Sequence, residues 1–183
     1  MDLIPIGRSA SQQEPGLNPR AYVALMREVD VAAFPADWAG GSIYENAVVL
    51  DPATPITFAV PLSDGFVEFQ TTPNKGNSGI EGLGDPFNKS SENTVTVMYK
   101  GTEAEIRGFV ELNKNEEFII LTQDKCGDNS EYDLIGLPCS PAYIDTYSEV
   151  SGAVAGDVRE WTISFKSQGK MTKKYRAAVN IQP

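Results

Sequence analysis

Two cysteines, Cys126 and Cys139, are the residues whose chemistry could first suggest a redox or metal site. They flank a Gly-Asp-Asn turn sequence, between "EFIILTQ", which is typical of a buried strand, and "EYDLIGL", its expected return partner. With the turn near Gly127, the two sulfurs would lie roughly 30 Å apart, whereas a disulfide needs Cα atoms within about 7 Å. We therefore predict a hairpin with two free thiols, unless the turn has another register or the chain reverses sharply at Pro138.

Histidine is absent from the chain, so every triad, dyad or zinc site that needs an imidazole is excluded. Two carboxylate pairs, Glu103 with Glu105 and Glu116 with Glu117, are more typical of a solvated acidic face than of acid-base catalysis. A carboxylate-dependent glycoside hydrolase remains an alternative. The glycines of "GNSGIEGLGD" lack the Lys-Ser/Thr of a phosphate loop. We predict no enzyme activity, no catalytic residue, no metal and no cofactor.

The charge of the chain is strongly acidic, with 25 Asp and Glu against 15 Lys and Arg and a formal net charge of -10. Such a balance repels phosphate and argues against sequence-reading nucleic-acid binding. No apolar run approaches the roughly 18 residues of a membrane helix. From these features we expect a soluble protein without a membrane partner, made in the cytoplasm.

Several runs are typical of half-buried β-strands. In "REWTISFKS" the apolar residues Trp161, Ile163 and Phe165 alternate with polar ones, and "NTVTVMYK" places Val95 and Val97 on one face. Five further runs have the length and composition of strands: "SIYENAVVL", "ITFAVPL", "GFVEFQTT", "YIDTYSEV" and "KYRAAVNIQ".

One helix is predicted, from about Glu103 to Asn113, because a capping box precedes apolar residues at helical spacing. The glycines and prolines between Pro73 and Asn93 predict a long loop, 73–93. Residues 1–20 read as an N-terminal arm, followed by a single domain, 21–183. The fold class is therefore mainly β, a β-sandwich or barrel of eight to ten strands with one flanking α-helix, a long loop and an N-terminal arm.

The order of these parts resembles the major tail tube proteins of tailed bacteriophages. Three passages carry the resemblance: "YVALMREVDVAAFPAD", "GTEAEIRGFVELNKNEEFIILTQDKCGDNSEYDLIGL" and "SGAVAGDVREWTISFKS". The resemblance implies a subunit of a virion, assembled in the host cytoplasm, that forms rings, commonly hexameric. Stacked rings would make a hollow tube through which DNA is ejected without specific binding. The partners implied are further copies of the chain and other phage tail or connector proteins.

Assembly of this kind predicts subunit contacts in the arm and the long loop. Pairing of edge strands between neighbours could close a ring, and an acidic lumen would repel DNA phosphates. Two alternatives remain open: a head-tail connector or tail-completion ring protein, and a non-enzymatic β-sandwich binding module with Trp38, Tyr44, Tyr132 or Tyr143 in a groove. The expected subunit-interface residues are Leu3, Ile4, Pro5, Ile6, Ile80, Leu83 and Phe87.

Overall fold

A computed structural model describes most of the chain. The described ranges are 20–37, 43–51, 54–60, 64–72, 76–100, 104–124, 131–150 and 159–182. The predicted arm therefore lies outside the described residues except for Arg20, which begins the first strand. The division into an arm and a single domain stays a prediction.

The described residues form nine β-strands and two α-helices. The helices are α1 (Ile43–Asn46) and α2 (Ala104–Asn113). The strands are β1 (Arg20–Leu25), β2 (Val67–Gln70), β3 (Asn77–Leu83), β4 (Ser90–Lys100), β5 (Phe118–Thr122), β6 (Tyr132–Ile135), β7 (Ala142–Val150), β8 (Glu160–Gly169) and β9 (Lys173–Tyr175).

All nine strands belong to one antiparallel sheet in the order β2-β1-β5-β7-β8-β4-β3, with β6 on β5 and β9 on β6. The sheet is not closed into a barrel. Its two ends nevertheless approach each other. The backbone N–H of Thr72, just after β2, donates to the carbonyl oxygen of Met98 in β4 at 2.6 Å. The sheet is thus strongly curled. From the Thr72–Met98 hydrogen bond, β3 runs along β4 toward Ser90.

The concave side of the curled sheet holds one of two hydrophobic cores. Val95, Val97 and Phe165 from β4 and β8 face Phe118 and Ile120 of β5 there. Helix α2 covers this core with Ile106 and Val110, which the sequence placed on its apolar face. Apolar and polar residues alternate in β4 and β8 because one face of each strand packs against this core and the other faces outward.

A second core lies on the other side of β1, β5 and β6. Ile119 and Leu121 of β5 pack there with residues that follow β1 and with Tyr175 of β9. Because both faces of β5 are covered, all five of its residues are buried. This explains why "EFIIL" shows an unbroken apolar run instead of alternation.

The mainly β prediction with a flanking helix is confirmed. The helix begins at Ala104 and ends at Asn113, as the capping and spacing indicated. The predicted hairpin partners also pair, with Ile120 opposite Ile135 and Leu121 opposite Leu134.

The predicted long loop at 73–93 is wrong for most of its described length. Its residues form β3 and the start of β4, which pair from Asn77 opposite Thr96 to Leu83 opposite Ser90. Gly79 and Gly82 have low intrinsic strand preference, but the neighbouring β4 supplies a ladder of hydrogen bonds that overrides it. Within the described part of this segment, Gly76 and the turn between the strands, 84–89, lie outside the ladder.

Two predicted strands are also wrong. "SIYENAVVL" contains α1 and isolated bridges, and "ITFAVPL" contains a single bridge at Phe58 opposite Val29. Each segment contributes apolar residues to the second core, for example Leu50 and Ile56, without joining a ladder. Burial alone produced their strand-like composition.

Candidate assembly surface

Four neighbouring strands, β7-β8-β4-β3, form a continuous section of the sheet. One face of β4 and β8 packs against the first core, and their other face points outward. β4 and β8 pair over ten residues, from Ser91 opposite Gly169 to Lys100 opposite Glu160. β3 lies on the outer side of β4, and β7 lies on the outer side of β8. The two outer strands determine how this section can contact another molecule.

β3 is an edge strand, since it pairs only with β4 among the described strands. Six of its seven residues are exposed, and Leu83 is half-buried. Two glycines leave parts of its backbone uncovered, and a Cβ added at Gly82 would meet nothing within 4 Å. The outer N–H and C=O groups of such a strand can accept a further strand.

β7 provides a second edge. Ala142 pairs with Phe118 of β5, but beyond it the described part of β7 pairs only with β8. A bulge between Ile144 and Thr146 shifts the register. Tyr143, Tyr147 and Val150 are 39%, 49% and 52% exposed, so this edge strand presents three large side chains to solvent in the described part of the chain.

The outward face of the four strands is polar. Thr94 and Thr96 of β4 lie beside Lys166 and Ser164 of β8, and the Thr96 hydroxyl donates to the Ser164 oxygen at 3.4 Å. These positions alternate with the buried residues of the same strands, so the polar face follows directly from the period-2 pattern.

Acidic groups outnumber basic ones on this face. Lys166 lies 3.2 Å from Glu92 and 3.6 Å from Asp145, and Gln168 Nε2 donates to Glu92 at 2.8 Å. The hydrogen bonds from Gln168 and Lys166 lower the pKa of Glu92, and the bond to Glu92 raises the pKa of Lys166. The register places four carboxylates and two ammonium groups on the face: Glu81, Glu92, Asp145 and Glu160 against Lys100 and Lys166.

Three of the predicted interface residues lie in the β3–β4 hairpin. Ile80 is 50% exposed, Leu83 is half-buried, and Phe87 in the turn is fully exposed. Their roles in an interface stay predictions. The other four, Leu3, Ile4, Pro5 and Ile6, lie outside the described residues.

Phe87 has a positive φ of 72°, the only such non-glycine residue in the described part of the chain. For a bulky L-residue this left-handed backbone is an uncommon and costly conformation. The Lys89 ammonium donates to the carbonyl oxygen of Gly84 and closes the turn around it. The hairpin therefore presents an aromatic ring at its tip with no cover from the described residues.

Among the described residues, the cysteine and carboxylate side chains that could carry chemistry do not form a common site. Cys139 is exposed and has a free thiol, while Cys126 lies outside the described residues. Glu116 accepts a hydrogen bond from Arg27 at 2.8 Å, and Glu105 lies on α2. Among the described residues there is no group of three or more His, Cys, Asp or Glu that could hold a metal ion. None of the described helices is long and apolar enough to cross a membrane.

Among the described residues, the aromatic side chains of the binding-module alternative do not form a common groove. Tyr132 is half-buried and packs edge-on against Tyr22, with ring centroids 5.9 Å apart. Tyr143 is exposed on the polar face of β7, and Tyr44 lies in α1. Trp38 lies outside the described residues.

Sequence reasoning missed the two edges, but it indicated that one face of β4 and of β8 is polar. The signal for the face was present in the Thr and Ser positions of "NTVTVMYK" and "EWTISFKS", which alternate with the apolar ones. Edge positions had no such signal, because they depend on which strands become neighbours. Comparison of the chain with family models, curated proteins and solved structures finds no match.

Proposed function

We propose that the chain is a structural virion protein that self-assembles into rings, and that stacked rings form a phage tail tube for DNA ejection. The observation that carries this proposal is the four-stranded section β7-β8-β4-β3. It has an open edge on each side and a polar, mainly acidic outward face. The resemblance in the order of sequence elements points in the same direction.

Ring closure would occur by pairing of β3 in one copy with β7 in the next. The two edges are different surfaces, so the contact is heterologous, and it closes when the rotation per copy divides a full turn. Each copy then adds four strands to one continuous sheet. Both open edges become paired, which removes the hazard of uncontrolled association.

The polar outward face of the section would line the lumen. The concave side is already filled by the core under α2, so the outward face is the one available to the channel. An excess of carboxylates repels DNA phosphates, and hydroxyl groups such as those of Thr96 and Ser164 carry no charge that would bind them. DNA could therefore slide through without specific binding.

The test is electron microscopy of the purified chain together with its mass by light scattering. We expect rings with a stain-filled centre and a mass that is a whole multiple of the subunit mass. A Gly82→Lys variant should not form rings, because a lysine on an edge strand opposes pairing and the added side chain has open space in the single subunit.

The matched control is Gly108→Lys on α2, where an added Cβ also meets nothing within 4 Å. This variant should form rings like the unmodified chain. If the unmodified chain stays monomeric at all concentrations, or if Gly82→Lys forms rings equally well, the proposed edge pairing is wrong. A head-tail connector would form single rings that do not stack.

A further inference from the structure

We propose that Phe87 of one copy inserts into an apolar groove between β2, β4 and α2 of the next copy, and so stacks rings end to end. This inference rests on the proposed function, because it assigns the contact between rings. The two surfaces involved lie on the same chain, at opposite ends of β4.

The groove has a volume of about 200 Å³. Its walls are formed by β2, by Tyr99 near the end of β4, and by one side of α2. Apolar side chains provide most of the lining: Val67, Phe69, Tyr99, Ile106 and Phe109. An apolar cavity of about 150 Å³ is large enough to bind benzene, so the groove can accept a phenyl ring.

Phe87 is suited to fill such a groove. Its ring is fully exposed, and its backbone has the costly φ of 72°. Within the described residues nothing compensates for either feature. A strained and exposed aromatic residue at the tip of a hairpin is understandable if a partner buries it.

The contact would bring together two surfaces that both carry charged groups. The groove carries two carboxylates, Glu68 and Glu105, and Arg20 is 3.5 Å from Glu68. Glu105 makes no ion pair with another described residue. The turn carries one ammonium group, Lys89, two residues from Phe87, together with the carboxylate of Asp85. The turn therefore has no net charge, and its Lys89 ammonium already donates to the carbonyl oxygen of Gly84.

The direction of β4 makes this a stacking contact. The Ser90 end of β4 leads from the turn that holds Phe87, and the Lys100 end lies beside the groove. In a ring whose strands pair side by side, every turn projects on one side of the ring and every groove opens on the other. A heterologous contact of this kind repeats without limit and produces a tube.

The first test replaces Phe87 with Asn, which removes the phenyl group and tolerates the left-handed backbone. We expect Phe87→Asn to form single rings and to melt at the same or a higher temperature than the unmodified chain. The protein concentration needed for stacks should rise at least about tenfold, as for loss of a central aromatic contact. Leu112→Asn, which removes another exposed apolar side chain outside the groove, should stack normally.

The second test fills the groove with Glu105→Trp on the exposed side of α2. Rings of this variant should not stack by themselves, although their Phe87 is intact. Preformed rings of Glu105→Trp and Phe87→Asn, when mixed, should join into pairs of rings and no further. In each such pair the intact Phe87 side chains of one ring meet the open grooves of the other ring. Only a heterologous contact can produce this result.

The outcomes separate this inference from the proposed function. If the unmodified chain forms no rings, both fail. If it forms rings and Phe87→Asn stacks like the unmodified chain, only the present inference is overturned. In the full chain, replacement of Leu3, Ile4 and Ile6 by Asn identifies another occupant: loss of stacking in that variant, with stacking retained in Phe87→Asn, would assign the groove to the N-terminal segment and overturn this inference.

Discussion

At the scale of single residues, Gly136 is where the chain leaves β6 and turns toward β7. Its φ is +87°, and an added Cβ would overlap the carbonyl oxygen of Phe118 and lie 2.9 Å from the nitrogen of Ala142. Both neighbours are backbone atoms of the sheet and cannot move aside. We expect Gly136→Ala to lower the free energy of unfolding by at least about 2 kcal/mol, measured by urea denaturation.

The control for this prediction is Gly108→Ala in α2. An added Cβ there meets nothing within 4 Å, and alanine is the better helix former. Gly108→Ala should raise the free energy of unfolding by about 0.5 to 1 kcal/mol. Equal effects of the two substitutions would contradict the role assigned to the turn at Gly136.

Glu92 gives the polar face a specific pH dependence. Hydrogen bonds from Gln168 and Lys166 lower its pKa in the folded protein below the ordinary value of 4.5. Its stabilising contribution is therefore present above about pH 4.5 and is lost as the pH falls through the lowered value. Glu92→Gln should reduce the free energy of unfolding near neutral pH, and the difference should shrink in acid.

Urea denaturation of both proteins across this pH range measures the effect. Glu81→Gln is the matched control, since Glu81 lies on the same face and makes no hydrogen bond or ion pair with a described residue. It should show no comparable change between neutral and acidic pH. A Glu92→Gln difference that is constant with pH would assign its effect to packing instead of charge.

At the scale of elements, helix α2 acts as a cover for the core inside the curled sheet. Val110 is 3% exposed and contacts this core, whereas Leu112 is 80% exposed on the opposite side of the helix. Val110→Ala should lower the free energy of unfolding by about 2 kcal/mol through lost burial and an unfilled cavity. Leu112→Ala should change it by less than about 0.5 kcal/mol. Similar values for both would mean that α2 does not pack as described.

How far the sequence predicts each element depends on where its stabilisation comes from. β8 and α2 bury one regular face, so period-2 and helical spacing identified them. β3 buries almost nothing and is held by its ladder with β4, a contact between segments that no local pattern records. Segments that only cover the second core, such as those that contain Leu50 and Ile56, carry apolar residues without a period.

The same reasoning applies to the candidate site. Phe87 and Ile80 could be selected from the sequence, because large apolar residues among glycines and polar residues are conspicuous. Their position on an edge hairpin could not be predicted, because the segment that contains β3 was expected to be a loop. The groove combines residues of β2 with residues from the end of β4 and from α2, about 30 positions later in the chain, so it becomes visible only in the folded protein.

At the scale of the whole molecule, the length of β4 sets the height of any assembly built from this chain. Phe87 and Tyr99 are separated by twelve residue steps along the hairpin and β4. At about 3.3 Å per residue this corresponds to roughly 40 Å when the strands run along the tube axis. A tilt of 35–45°, as in closed β-sheets, reduces the axial component to about 30 Å.

Insertion of Phe87 into the groove of the next ring therefore predicts an axial repeat of roughly 30 to 40 Å, which layer lines in images of stacked rings would measure. The repeat is a consequence of the contact and not only of subunit size, because Phe87 precedes the Ser90 end of β4 and Tyr99 lies near its Lys100 end. A repeat far above 40 Å would leave Phe87 short of the groove. A repeat well below 30 Å would make adjacent rings overlap along β4. Either result would contradict stacking by insertion of Phe87 into the groove.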